Sequence, residues 1–597
     1  MNSKTTGIWF VIAITLLAFI FIYERHWDKQ AKVSENILPG LQLADVTSVQ
    51  IIPAGALEIR ADRANGKWLL SKPIVYPAQT AAIEALLDAL QKLAPANKIS
   101  AAELRQHKGS ETEYGFENPP ISLVVSAGDQ SWQLKIGNKT APGDQFFLRV
   151  VGVDGAFIVD AGLLKLIPLA VNDWRDTSVA DASQIENCDW ITLTNNAKGF
   201  SMEFQRNPTN HFWRMVRPLP ARADNDRITE ALQQLQSARV TQFVTDNPQT
   251  DLSAFGLQPA DLDLWLGHGT NVDVGLHLGK NLTNDSTQIY AKREHWNAVV
   301  ATAKEPFVSW RGSVNDFRDP HLLELSAPVN EIDVRGEDNF ILQREGTNDW
   351  KIVGEKFPAD AENVQAFIKL LTDFRVVEFV KDVVTAPDLQ TYGLATPSRT
   401  ITLSSAVAGT NVVIGQLLFG AVQTNEVFVR RADEDFVYAI SKEDFGQLPE
   451  AGWEFRDRHI WNFTERDVTQ ITLQQNGKTR VLLHNGYNKW SLAAGSQGMI
   501  TPEAIEETTH RLGELAAYNW VGCNVTNTAP YGFKPDNLQI TIELKDGKKF
   551  SVDFGGLLSN QTALASVMLD GERWVFIFPP TLYQFVVTYL TIPANVP

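Results

Sequence analysis

Short runs of alternating apolar and polar residues recur along the chain, and helical patterns interrupt them at regular intervals. The runs "SVQII", "LEIRA" and "KWLL" alternate as strands with one buried face do. A spacing of three and four residues then predicts a helix through Ile83, Leu86, Leu90 and Leu93. Further alternating runs follow ("ISLVVSA", "WQLKIG", "FFLRVV", "AFIVD"), and a short apolar helix, "AGLLKLIPLA", comes after them. Because strands and helices form separate blocks, the pattern favours an α+β fold with antiparallel sheets over a parallel doubly wound sheet.

Four sequence markers repeat along the chain in one order. The first is an aromatic-Gly-apolar triplet followed by proline, in "EYGFENPP", "AFGLQPA", "TYGLATP" and "PYGFKPD", with glycines at Gly115, Gly256, Gly393 and Gly532. The second is a tryptophan that begins or ends a strand-like run, at Trp68, Trp213, Trp350 and Trp490. The third is a glycine that ends a strand, at Gly137, Gly279, Gly415 and Gly555. The fourth closes three of the segments, in "NDWRD", "NDFRD" and "WEFRD", with arginines at Arg175, Arg318 and Arg456.

The step between equivalent markers is nearly constant and therefore predicts tandem repeats. The triplet glycines are 141, 137 and 139 residues apart, and the tryptophans are 145, 137 and 140 residues apart. We place the four repeats at residues 41–178, 179–322, 323–460 and 461–597.

We interpret these markers as structural. Glycine in the triplet allows a positive φ or a close backbone approach, and the proline after it stops a helix and begins a strand at a sheet edge. The four tryptophans are expected at equivalent buried positions. Each closing arginine is expected beside a buried aromatic ring, bonded to a neighbouring carbonyl or carboxylate.

The N-terminus predicts a membrane anchor. Residues 7–23, "GIWFVIAITLLAFIFIY", contain no charge and would span about 26 Å as a helix. No small-residue cleavage site follows, which favours an uncleaved signal anchor over a cleaved signal peptide. Residues 1–6 would then be cytoplasmic and residues 24–40 a linker. Basic residues after the span outnumber Lys4, but one span before so long a body favours a single-pass inner-membrane protein whose bulk is extracytoplasmic, in the periplasm.

Composition and charge narrow the range of functions. The 597 residues are 44% hydrophobic and 21% charged, as in globular proteins, and their number requires several domains. A formal net charge of −17 argues against binding to nucleic acid or to an anionic membrane surface. Two cysteines, Cys188 and Cys523, exclude a disulfide scaffold and a cysteine-based metal site.

No motif of known chemistry is present. The chain has no His-Glu-x-x-His zinc motif, no phosphate-binding loop and no Gly-x-Ser-x-Gly elbow. His268, His277 and His295 are the tightest histidine group but lie on different strand-like runs. The acidic pairs Asp261/Asp263 and Glu331/Asp333 alternate on strands and so are expected to face solvent. Four other tryptophans are candidates for an exposed face: Trp132, Trp265, Trp296 and Trp574. We therefore predict no catalytic, cofactor-binding or metal-binding residue, and no cofactor.

The anchor, the repeated "Trp…helix…Tyr-Gly-Leu/Phe-x-x-Pro…Ile-Gly" order and the "W/F-R-D" closures resemble the bacterial family called domain of unknown function 4340. The resemblance covers nearly everything after residue 40, with departures at Phe255 of the second triplet and in the missing Arg-Asp of the fourth repeat. It implies a gene beside those of an ABC transporter ATPase and a permease similar to the gliding-motility type, and it supplies no catalytic residues.

Three functional hypotheses follow. The first is a non-enzymatic, membrane-anchored accessory subunit or scaffold of an ABC-type export or envelope complex, with the permease and ATPase as partners. The second is a periplasmic module that binds glycan or polypeptide through aromatic residues such as Trp265. The third is an envelope hydrolase with a site between repeats, which converging carboxylates or histidines in a single pocket would favour.

Overall fold

The computed structural model describes Thr15 and residues 36–407, 410–559 and 561–591. Over these residues the fold is α+β: four antiparallel sheets, each with helices, follow one another along the chain. The chain divides into two compact units, Met1–Arg318 and Asp319–Pro597. Each unit contains two of the sheets, so each holds two repeats.

The first repeat establishes the arrangement. Its strands and α-helices, in chain order, are β1 Ser48–Pro53, β2 Ile59–Ala64, β3 Lys67–Lys72, β4 Tyr76–Pro77, α1 Thr80–Gln91, β5 Asn97–Ile99, α2 Ala101–Gln106, α3 Ser110–Glu113, β6 Ile121–Ala127, β7 Gln130–Lys139, β8 Gln145–Val150 and β9 Ala156–Asp160. The strand order in the sheet is β4-β3-β2-β1-β6-β7-β8-β9-β5. Helix α1 buries Ile83, Leu86, Leu87 and Leu90, which join the alternating inward residues of the strands in one core.

The second and third repeats have the same nine-stranded order. The elements of the second repeat are α4 Ala182–Glu186, β10 Trp190–Asn195, β11 Phe200–Arg206, β12 Trp213–Arg217, β13 Ala221–Arg222, α5 Asn225–Ser237, β14 Val240–Thr245, β15 Leu262–His268, β16 Asn271–Asn281, β17 Gln288–Arg293 and β18 Val299–Ala303. The elements of the third repeat are β19 Glu331–Arg335, β20 Phe340–Arg344, β21 Trp350–Ile352, β22 Pro358–Ala359, α6 Ala361–Asp373, β23 Glu378–Lys381, α7 Ala386–Thr391, β24 Arg399–Val407, β25 Thr410–Gln423, β26 Glu426–Arg431, β27 Val437–Ser441 and α8 Lys442–Phe445.

The fourth repeat keeps this order with eight strands, because its sheet has no counterpart of the two-residue strand β4. Its elements are β28 Val468–Gln475, β29 Lys478–Gly486, β30 Lys489–Leu492, α9 Pro502–Gly513, β31 Asn519–Gly522, β32 Gln539–Leu544, β33 Lys549–Leu557, β34 Ala563–Leu569, β35 Glu572–Ile577 and α10 Pro580–Phe585. A π-helical turn, Val586–Leu590, follows. Each of the four sheets lies within one of the residue ranges proposed for the repeats.

Short 3-10 helices connect these elements: Leu43–Asp45, Ala161–Leu166, Val171–Trp174, Leu252–Phe255, Glu305–Phe307, Ser309–Arg311, Asn315–Phe317, Gly452–Phe455, Glu465–Asp467 and Ala529–Tyr531. The four marker tryptophans lie on the third strand of each repeat and are each 5% exposed or less: Trp68, Trp213, Trp350 and Trp490. The marker tryptophan is therefore a core residue at an equivalent position in each repeat.

The aromatic-Gly-apolar triplet is a close backbone contact between a turn and a strand. All four triplet glycines have a positive φ, between 65° and 78°: Gly115, Gly256, Gly393 and Gly532. The carbonyl oxygen before the triplet glycine lies against a strand glycine, so that a Cβ added at Gly137 would be 2.0 Å from the Tyr114 oxygen. A side chain at either glycine would push the turn away from the sheet.

Two sequence expectations, about the position of the strand glycine in the third repeat and about the strand after the triplet, are wrong. In the third repeat the strand glycine is Gly420, whose added Cβ would be 2.2 Å from the Tyr392 oxygen, whereas Gly415 faces the Leu323 side chain. Strand β25 is longer than its counterparts. The spacing of the markers along the sequence therefore does not reveal that the strand glycine of the third repeat lies five residues later. The strands after the triplets are also not edge strands, because β6, β15, β24 and β32 each pair on both sides.

The predicted anchor at residues 7–23 lies, apart from Thr15, outside the described residues. In the part of the chain that the structure describes, every helix is too short or too polar to cross a bilayer. Ile37 and Leu38, in the predicted linker, are buried in the core of the first repeat, and the Ile37 amide donates to the Leu93 carbonyl.

Candidate functional site: the cleft between the first two repeats

Arg175 forms the centre of the contact between the first and second repeats. Its side chain is 1% exposed, and its guanidinium donates two hydrogen bonds to the carboxylate of Asp246, at 2.7 and 3.0 Å. The same guanidinium lies 4.3 Å from the ring centre of Tyr76, in the first repeat, and 3.6 Å from that of Phe243, in the second. A charge-assisted bond and two cation–π contacts therefore join the two repeats through one residue.

The backbone around Arg175 explains why the chain places it there. A bridge between Ala78 and Arg175 attaches the closing segment to the end of β4, and the Gln79 amide donates to the Trp174 carbonyl. Three residues later a bridge between Ser178 and Arg239 attaches the same segment to the second repeat. The closing segment thus belongs to both repeats, and we call this contact the first joint.

A cleft of about 660 Å³ lies beside the first joint. One wall comes from β3 and the start of α1, and the other comes from β16 and the turn after β17, with the segment from Asp176 to Gln184 between them. Trp296 is half-buried in this wall, and its ring centre is 5.6 Å from that of Tyr76. The cleft therefore offers an aromatic surface among polar groups, which suits a polypeptide or a sugar.

Ion pairs between the repeats cross the cleft. The Lys67 ammonium, from β3, lies 2.5 Å from the Asp181 carboxylate at the start of α4. Arg293 lies 3.6 Å from Asp176 and donates to the Ser178 carbonyl. Burial acts to raise the pKa of Asp181, but hydrogen bonds from Lys67 and Ser183 outweigh it and hold that pKa below its usual value. Asp181 is thus an anion at neutral pH.

A histidine held between two carboxylates borders the cleft. His277 Nδ1 lies 2.6 Å from Asp263 and Nε2 lies 2.5 Å from Glu294, which also lines the cleft. The bond to Asp263 raises the pKa of His277 most; burial opposes it, and Glu294 adds to it. The bond from His277 in turn lowers the pKa of Glu294. Both ring nitrogens are occupied, so this cluster holds a proton in place rather than offering it to a substrate.

We expect the stability of the second repeat to fall as pH rises through the raised pKa of His277. Below the ordinary pKa of histidine, folded and unfolded chains both carry the proton and the imidazolium stabilises the fold. Above that pKa the unfolded chain loses the proton and only the folded chain keeps it. The stabilisation of the fold by the imidazolium therefore decreases progressively as the pH rises to the raised pKa of His277. Hydrogen exchange of β15–β17 between pH 6 and 9 measures this dependence. His277→Gln should flatten it, whereas His295→Gln, at an exposed histidine of the same repeat, should not; equal slopes in both variants would contradict the assignment.

The structure separates the histidines that lie close together in sequence. His268 Nδ1 bonds Asp273 at 3.0 Å, His277 belongs to the cluster above, and His295 is exposed at the cleft. Over the described residues, no group of three His, Cys, Asp or Glu side chains is placed to hold a metal ion.

The four candidate tryptophans also have different environments. Trp132, Trp265 and Trp296 are half-buried. Trp574 is only 1% exposed and lies in the core of the fourth repeat, so the expectation that it faces solvent is wrong. Strand β35 turns it inward, toward the joint described below.

The two cysteines are free thiols. Burial raises the pKa of Cys188 to about 11, and burial followed by the nearby Glu572 raises the pKa of Cys523 to about 11. Both thiols stay protonated at neutral pH, which makes them poor nucleophiles.

A second joint of the same kind connects the third and fourth repeats. Arg456 lies 3.2 Å from the Asp570 carboxylate, and its guanidinium is 4.4 Å from the ring centres of both Phe357 and Trp574. The bridge between Ala359 and Arg456 matches the one between Ala78 and Arg175. Arg318, at the end of the second repeat, is also buried, and its neighbour Ala223 forms the equivalent bridge.

Sequence reasoning missed the partners of these residues. Asp263 and His277 are directly opposite on β15 and β16, so an alignment of the hairpin would have paired them. The carboxylates of the two joints have no common signal, because Asp246 follows β14 whereas Asp570 lies in the turn between β34 and β35.

The family described as "Domain of unknown function (DUF4340)" matches three stretches of the chain, residues 68–210, 213–356 and 350–535, which together cover more than half of it. No curated protein matches the chain.

Proposed function

The chain belongs to the DUF4340 family, and we propose that it is a non-enzymatic scaffold: a membrane-anchored, extracytoplasmic accessory subunit of an ABC-type export or envelope complex. In this proposal residues 7–23 hold the chain in the bacterial inner membrane, the repeats lie in the periplasm, and the partners are the permease and ATPase of the transporter. No cofactor is required.

The observation that carries this proposal is that the residues that recur from repeat to repeat have structural roles. The tryptophans fill the cores, the triplet glycines allow close backbone contacts, and Arg175 and Arg456 join neighbouring repeats from buried positions. Residues that recur in this way build adjacent copies of one fold, and repeat proteins bind other macromolecules through such copies.

The cleft beside the first joint supports a docking role in particular. It spans two repeats, and a ligand seated in it would contact β3 of one repeat and β16 of the next. Its ion pairs are partly exposed, with the Lys67 side chain 69% exposed, so a partner can exchange with them at little cost.

Affinity purification from detergent-solubilised membranes tests the proposal. The full chain should retain an ABC permease, and deletion of the third and fourth repeats or exchange of residues 7–23 for an unrelated anchor should weaken that retention. A complex that survives both changes unaltered would contradict the scaffold function, as would a chain that purifies with no membrane partner.

A hydrolase with a site between repeats is the second candidate, because carboxylates and a histidine converge in this one cleft: Asp176, Asp181, Asp273, Glu294 and His295. The lowered pKa values of Asp181 and Glu294 suit binding more than proton donation, since a general acid needs a raised pKa. Turnover of a glycan or peptide substrate by the purified chain that Glu294→Gln abolishes would favour this candidate.

A further inference from the structure

The fourth repeat differs from the others at the residue opposite its marker tryptophan. Across the second and third strands, arginines face this indole in the first three repeats: Arg63 opposite Trp68, Arg206 opposite Trp213 and Arg344 opposite Trp350. In the first two, the guanidinium lies 5.7 and 5.9 Å from the ring centre. In the fourth repeat the residue opposite Trp490 is His484.

Unlike the longer arginine side chains of the other repeats, His484 is packed into the core of the fourth repeat. Its ring stacks on Trp490 with centres 4.4 Å apart and planes 13° apart. Nδ1 donates to the Val468 carbonyl, and Nε2 faces the buried carboxylate of Glu506 at 3.3 Å. The Trp490 indole donates to the same carboxylate oxygen, at 2.7 Å. Both ring nitrogens thus point into the protein, and the imidazole separates Glu506 from the surface.

A pocket of about 430 Å³ lies at His484, on the outer side of this cluster. An arginine is longer than a histidine, and the shorter ring leaves this space open. The polar side chains of its lining are Arg466, Thr469, His484, Asn485, Tyr487 and Lys545. None of the lining residues is acidic, although the whole chain carries a net charge of −17. The lining of the pocket therefore carries two cationic side chains, Arg466 and Lys545, and no carboxylate.

The cations of the pocket remain available to a ligand. The Arg466 side chain is 79% exposed, and its contact with Glu465 is long, at 3.9 Å. Glu465 is also engaged by His510 at 3.1 Å. No carboxylate of the described residues lies within ion-pair distance of the Lys545 ammonium. The Tyr487 side chain, 70% exposed, adds an aromatic surface at the same place.

We propose that this pocket binds a phosphate monoester. Arg466 and Lys545 together carry two positive charges, which match the charge of up to −2 on such a group near neutral pH. The volume exceeds that of a phosphate alone, so the organic part of the ester lies against Tyr487 and the face of His484. The headgroup of an anionic lipid and a soluble phosphorylated metabolite share this chemistry. The site is independent of the scaffold function proposed above.

The test uses the full chain in neutral detergent micelles. Glycerol 3-phosphate is added in solution in one arm, and phosphatidic acid is dissolved in the micelles in the other, with phosphatidylcholine, a zwitterionic phosphodiester without net charge, as the reference. The readout is slowed hydrogen exchange in β29 and β30, together with calorimetric titration for the soluble ligand. Protection by glycerol 3-phosphate identifies a soluble ligand, and protection by phosphatidic acid alone identifies a lipid headgroup; either result supports the site.

His484→Arg is the most informative variant, because it installs the residue that the other three repeats carry without removing a positive charge. It should fill the pocket and weaken binding about tenfold or more, and Arg466→Gln with Lys545→Gln should weaken it comparably by removing charge. Lys478→Gln, an exposed lysine of the same hairpin outside the pocket, should bind as the unaltered chain does. Absence of protection in both arms, or equal protection in all variants, would overturn the proposal.

Discussion

Replacing Arg175 with alanine is expected to destabilise the first joint by about 3 kcal/mol, within the range for truncating a large buried side chain. The change removes two hydrogen bonds to Asp246 and the contacts with Tyr76 and Phe243. It also leaves a cavity, because Arg175 is 1% exposed. Asp246 itself is 37% exposed and can be rehydrated, so most of the loss comes from packing rather than from an unpaired buried charge.

Peptide-resolved hydrogen exchange at rising urea concentration measures this loss in the full chain, because four repeats need not unfold in one step. Protection should fall on both sides of the joint, in β4 and in β14. Arg217→Ala is the matched control: Arg217 is 72% exposed and pairs with Glu203 at 3.4 Å, so its removal should cost less than about 1 kcal/mol. Equal losses in the two variants would show that Arg175 does not hold the repeats together.

Gly420→Ala is expected to destabilise the third repeat by about 2–3 kcal/mol, as overpacking against a rigid backbone does. The new Cβ would lie 2.2 Å from the Tyr392 carbonyl oxygen, which accepts a hydrogen bond from the Ala421 amide. The turn that contains Gly393 would have to move, and the bond would be lost with it. Gel filtration and far-UV circular dichroism first establish that the variant folds, and urea titration followed by exchange in β24 and β25 gives the change in stability.

Gly415→Ala provides the control for this experiment in the same strand. Its added Cβ meets only the Leu323 side chain, at 2.9 Å, and the end of a leucine can rotate away. We expect a loss of less than about 1 kcal/mol. If Gly415→Ala proves as costly as Gly420→Ala, the close contact of the third repeat is not the one that the structure shows.

The positions of the core elements follow from the sequence because each depends on local pattern. Alternation indicates the strands, and the spacing of Val364, Phe367 and Leu371 matches the buried face of α6. The constant step between the tryptophans placed the third strand of each repeat correctly, since a buried indole is hard to replace in a packed core.

The features that the sequence did not reveal depend on residues brought together by the fold. The strand glycine was misplaced at Gly415 because the length of β25 changes the spacing without changing the pairing. The charged cluster around His277 requires the register of β15 and β16 and also the turn after β17, which supplies Glu294. The cleft needs two repeats side by side. No periodicity within a single repeat contains that information.

The first joint also has a consequence for the order in which the protein matures. Tyr76 is 2% exposed in the folded structure, but its neighbours Phe243 and Trp296 are more than 160 residues downstream. While the chain is being synthesised, the first repeat must wait with this ring and the Arg175 guanidinium uncovered until the second repeat has been made. The shortest part of this chain that can bury these two side chains is therefore a pair of repeats. A ribosome that stalls after the first repeat leaves an intermediate that is prone to aggregate.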